Sequence, residues 1–105
     1  MDKGTAIEHV RQYADLVRRH FGDVRSIILY GSYAHGTPRE DSDVDVAVVL
    51  DELRGDWLTS AAKLHSLTRD IDIMIEPVIF ETGHDRSGFL EHIMKTGEII
   101  YSRDG

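Results

Sequence analysis

The sequence contains no cysteine, only two prolines and a single tryptophan. Without thiols, neither a disulfide framework nor a thiolate metal site can form, which fits a reducing compartment and makes the cytoplasm the expected location. Long hydrophobic runs are missing too. None approaches the roughly 18 to 20 residues of a membrane helix, and the N-terminus MDKGTAIEHVRQYADLVRRHF has no apolar signal-peptide centre, so neither a membrane nor export is expected. Basic charge is scarce: twelve Lys and Arg face nineteen Asp and Glu, a net charge of −7. That is the wrong sign for a protein that grips nucleic acid directly by its phosphates, and it favours bound cations or a basic partner. The six histidines are scattered without a His-x-x-x-His pair, so nothing points to a transition-metal site.

What is present reads as one compact unit, residues 1–105, with no repeat or low-complexity segment. Ile7, Val10, Ala14, Val17 and Phe21 recur at helical spacing, predicting a helix over 5–21 ended by Gly22. VRSIILY, 24–30, is short and β-branched and predicts a strand stopped by Gly31; SYAHG fits one helical turn, TPREDS a loop and DVDVAVVL a second strand. Asp56 is placed to cap a helix running to about Thr68, with Leu58, Ala61, Ala62, Leu64 and Leu67 as its core face. Trp57 is either core or an interface anchor. DIDIMIEPVIF predicts a third strand, at an edge or bulged because Pro77 has no N–H to donate. SGFLEHIMKTG predicts a helix between a serine start and a glycine stop, followed by EIIYS as a last strand. The expected fold is α+β, a mixed sheet of about four strands with helices packed on it, in the order α-β-β-α-β-α-β.

The stretch LYGSYAHGTPREDSDVDVAVVL carries the chemistry. Side chains two apart on a strand share a face at roughly 6.5 to 7 Å, so Asp43 and Asp45 look the same way. Two such carboxylates suit a hard cation, magnesium or manganese, especially where phosphate oxygens complete its shell. Upstream, Gly31 lets the backbone approach an anion closely and Ser32 offers a hydroxyl and N–H groups to phosphate, although Ser32 also fits a plain helix cap. A calcium loop on Asp41, Asp43, Asp45 and Glu52 fails because Val46 stands where glycine is required. Glu40 and Asp41 read as a solvated acidic loop. Tyr33, His35 and Arg39 flank the motif and are either nucleotide contacts or surface residues, and His65 reads as a polar helix residue.

Gly31-Ser32, ten residues, then Asp43-Val44-Asp45 resembles the signature of the DNA polymerase beta-like nucleotidyltransferase superfamily, and the whole stretch is most similar to its minimal nucleotidyltransferase branch. The resemblance implies a nucleotidyltransferase-like sheet and two magnesium ions on the carboxylates. It also implies transfer of a nucleoside monophosphate, AMP from ATP or another nucleoside triphosphate, to an acceptor hydroxyl with release of pyrophosphate. It implies a partner as well: a helical HEPN-type toxin, adenylylated on a tyrosine and silenced by this chain as its antitoxin, or neutralised by contact alone. A small hydroxylated acceptor is a third reading, and association with itself or with another chain is left open. The third carboxylate is Glu76 or Asp72. They share strand parity but stand about 13 Å apart, so only one can join Asp43 and Asp45.

Overall fold

In a computed structural model the described residues are 1–36, 42–85 and 87–104. Helix α1, Lys3–His20, starts on Asp2, whose carboxylate accepts the Thr5 N–H at 2.7 Å. Its apolar stripe is Ala6, Val10, Tyr13, Ala14 and Val17, all buried, while Ile7 lies at the margin. The strands are β1 Val24–Tyr30, β2 Val44–Leu50, β3 Ile75–Glu81 and β4 Glu98–Ser102. Between them come a single turn α2, Ser32–His35, and helices α3, Trp57–Leu67, and α4, Phe89–Thr96. The sheet order is β3-β2-β1-β4, with β1 antiparallel to both β2 and β4 and β2 parallel to β3. This is the mixed four-stranded α+β fold expected, and β3 lies at an edge, where Pro77 interrupts no shared ladder.

The two faces of the sheet are unequal. Ile27 and Leu29 of β1, Val44, Val46, Val48 and Leu50 of β2, and Ile75 of β3 meet α1 and α3 in the main core. There the buried Tyr13 hydroxyl donates to the Leu64 carbonyl at 2.8 Å, and burial pushes its phenol well above the ordinary tyrosine value. Ile28, Ala47 and Val49 point the other way and meet Leu90 and Ile93 of α4, with Tyr30 and Phe80 packed beside them. Gly97 makes the close turn from α4 into β4: a β-carbon there would come within 2.7 Å of the Ile93 and Leu29 carbonyl oxygens.

Four expectations need correction. Residues before Ile75 are not strand: Thr68–Asp70 form a 3-10 turn, and Asp72 sits in the following turn, where its Oδ1 accepts the Met74 N–H at 2.9 Å. The buried stripe of α3 is Ser60, Leu64 and Leu67, with Ala61 half-buried and Leu58 and Ala62 exposed. Trp57, in the first turn of that helix, is 55 % exposed and is no core residue, although Asp56 caps the helix as expected by accepting the Thr59 N–H. The serine start of α4 is only part of its cap. Ser87 Oγ accepts the Phe89 N–H at 3.3 Å, while the Asp85 carboxylate takes the N–H groups of Leu90 and Glu91, each at 3.0 Å.

Candidate active site

The C-terminal end of β1 and the N-terminal ends of β2 and β3 lie side by side at one end of the sheet. Asp45 is the register partner of Tyr30 on β1 and of Glu76 on β3. All three alternate onto the face that carries α4, because Ile28, Ala47 and Phe80 two or four residues further along pack there. Asp43 comes just before β2 and is exposed. Asp45 feels the other two carboxylates. Burial first, then the charges of Asp43 and Glu76, hold the Asp45 carboxyl above its ordinary value, and burial with Asp45 and Glu76 likewise raises the Tyr30 phenol.

Gly31 is positioned by this packing as much as by any ligand. It has φ 76°, and a β-carbon would overlap the Asp45 carboxylate. Only glycine accepts both conditions. It is also the cap of α2, so Ser32 is the first residue of that turn and not its cap; the Gly31 carbonyl accepts the His35 N–H at 3.1 Å. Lys3 pins the turn from α1 by donating to the Ala34 carbonyl at 3.1 Å. Tyr33 is buried in the main core and His35 is exposed, while Arg39, Glu40 and Asp41 lie outside the described residues.

Of the two candidates for a third carboxylate, the fold brings Glu76 to Asp45 and leaves Asp72 elsewhere. Asp72 Oδ2 lies 2.9 Å from His9 Nδ1, tying the start of β3 to α1. The parity that put the two acids on one face has no meaning in a turn. Three neighbours escaped the sequence reading. His65 Nε2 reaches round the edge strand to 3.7 Å from Glu76 Oε1, a helix-to-strand contact that leaves no mark in the sequence. Tyr30 could have been found from its place one residue before Gly31, once the hairpin register was known. Phe89 meets Tyr30 edge-on, ring centroids 6.0 Å apart at 88°.

Among the described residues no group of three His, Cys, Asp or Glu side chains is already drawn together around one point. The donor set nevertheless fits a hard divalent cation: it is all carboxylate oxygen, it is accessible, and its members repel one another, which such an ion would relieve. A depression of 290 Å³ lined by Phe21, Asp23, Leu50, Glu52 and Ser60 lies at the opposite ends of β1 and β2 and has no part in this cluster.

The fold thus brings a glycine turn and facing carboxylates together at one end of a mixed sheet. The family described as polymerase beta, nucleotidyltransferase, matches residues 12–105, and the chain belongs to it. No curated protein sequence matches significantly. Among solved structures, a candidate nucleotidyltransferase from Sulfolobus solfataricus superposes with a TM-score of 0.70 at 15% identity, covering 97% of this chain and 85% of that one. A mutant of the toxin-antitoxin pair MntA-HpeT gives 0.65 at 16% identity over 87% of this chain and 71% of that one. A toxin-antitoxin structure with AMP-PNP gives 0.65 at 18% over 97% and 74%. At such identities the likeness is one of fold. No helix among the described residues is long and apolar enough to cross a membrane.

Proposed function

We propose that this nucleotidyltransferase uses magnesium to transfer a nucleoside monophosphate, AMP from ATP, to a hydroxyl, the acceptor being a tyrosine of a HEPN-type helical toxin for which the chain is the antitoxin. The observation that carries the reading is the rung in which Asp45 faces Glu76, with Asp43 beside it and Gly31 beneath. Asp43, Asp45 and Glu76 are the residues that would hold the ions, with manganese as a substitute, and Gly31 and Ser32 those that would hold the triphosphate. Bound there, the metal would offset phosphate charge and align the attacking hydroxyl. The acceptor oxygen forms its bond to the α-phosphorus as the bond to the β-phosphate oxygen breaks, and pyrophosphate leaves. Glu76, half exposed on the edge strand, is the carboxylate best placed to take the hydroxyl proton. The toxin-antitoxin neighbours, one of them with AMP-PNP, support the choice of partner and nucleotide.

The decisive experiment incubates the chain with a co-expressed helical partner, ATP and magnesium, and weighs the intact partner. Gain of one or more AMP units, lost in the Asp43→Asn, Asp45→Asn variant, is expected. Full silencing of the toxin by that variant would replace catalysis with neutralisation by contact.

A further inference from the structure

Phe89 is the first residue of α4 and is 45 % exposed, although Leu90 beside it and Ile93 one turn on are buried. Its backbone is fixed by the Asp85 carboxylate, which holds the next two N–H groups. Its ring has two aromatic neighbours: Tyr30 at 6.0 Å and 88°, and Phe80 at 6.0 Å and 47°. Tyr30 is the rung opposite Asp45, so this aromatic wall begins where the carboxylates end. On the same face Ala47, the next residue along β2 from Asp45 on that side, is fully buried, and its β3 neighbour Val78 is 37 % exposed. The acidic rim and the part-exposed ring thus share one end of this face, with Tyr30 touching the ring and standing opposite Asp45.

The charges around it say what an uncharged surface is for. Asp43, Asp45 and Glu76 repel a triphosphate, and a cation that bridges them would serve bare polyphosphate as well as a nucleotide. Preference for a nucleotide needs a contact independent of charge, and a π-face offers one to any base. We propose that Phe89, backed by Tyr30 and Phe80, is the stacking platform for the nucleobase of the triphosphate substrate; this rests on the nucleotidyl-transfer reading above. The alternative occupant, the acceptor, belongs elsewhere. In an in-line displacement it enters opposite the leaving pyrophosphate. With the triphosphate on Gly31 and Ser32 at the end of β1, that side is the β3 rim, where Glu76 and His65 stand. Trp57, the other exposed aromatic, begins α3 after the far end of β2 and cannot reach the site.

Calorimetry with ATP and with inorganic tripolyphosphate, both in magnesium, tests the platform. Wild type should prefer ATP. Phe89→Ala should weaken ATP by about 5- to 100-fold, the range of base stacking on an aromatic side chain, and leave tripolyphosphate affinity unchanged, which also shows that the variant is folded. Phe89→Tyr should restore the preference. An unchanged ratio of ATP to tripolyphosphate affinity in Phe89→Ala overturns the platform, as does normal ATP binding with transfer to the acceptor lost. Wild type that binds neither ligand overturns the nucleotide reading itself and the platform with it.

Discussion

The two faces of one sheet are built to different ends. Against α1 and α3 it buries a continuous apolar layer from Val24 to Ile75; against α4 it buries Ile28, Ala47 and Val49 and leaves Phe89, Met94 and Ile99 about half exposed. Asp45 and Glu76 of the candidate site belong to the thinly covered face. A repulsive cluster is tolerable where solvent reaches it and little packing depends on it, and the thick face supplies the stability that the cluster costs.

Substitutions on either face can break this division. Ile27→Ala removes a fully buried side chain from the thick face and should cost about 2 to 5 kcal/mol by chemical denaturation. Metal-dependent nucleotide affinity per folded molecule should be unaltered, and a loss there would mean that the faces are not separable. Gly31→Ala lies at the boundary. A backbone at φ 76° and ψ −152° is open essentially to glycine alone and costs a residue with a side chain about 1 to 3 kcal/mol, and the displaced Asp45 carboxylate should weaken nucleotide binding as well. Thermal melts paired with titrations resolve the two effects, and strain with intact binding would detach Gly31 from the site.

The smallest effect has the opposite sign. The folded state raises the Asp45 carboxyl above its unfolded value of 3.8, so its proton is held more tightly in the native protein. That contribution is full below 3.8 and is lost as pH rises through the raised native value. Metal-free Asp45→Asn protein should therefore melt slightly above wild type at neutral pH, by less than about 1 kcal/mol because solvent screens the half-exposed cluster, and the gap should close in acid. A variant that melts lower at neutral pH would make Asp45 a structural residue.

Much of this was legible because period and punctuation agreed. β1 and β4 fall on the segments expected, Asp56 caps α3, and Pro77 marks an edge strand. The pairing of Glu76 with Asp45 was not legible as a choice over Asp72. It depends on where β3 begins, and DIDIM alternates like a strand while the chain turns there to meet His9 and the Met74 N–H. Trp57 stood between core and interface anchor in the sequence; it lies at helical spacing from Ser60, Leu64 and Leu67, but the first turn of α3 stands clear of the core. Periodicity tells which way a side chain points, and not whether anything lies there to cover it.

The position of Pro77 also bears on how the protein avoids its own kind. Val78, Ile79 and Phe80 are a β-prone apolar run on the rim of an incomplete sheet, the sort of edge along which identical chains stack into aggregates. Glu76 and Pro77 precede that run and Glu81 follows it. Proline takes one donor from the rim, and the two acids place like charges on every copy that would line up beside it. Glu76 therefore stands at a crossing of two demands, since the acid that faces Asp45 also helps keep this edge from nucleating a fibril.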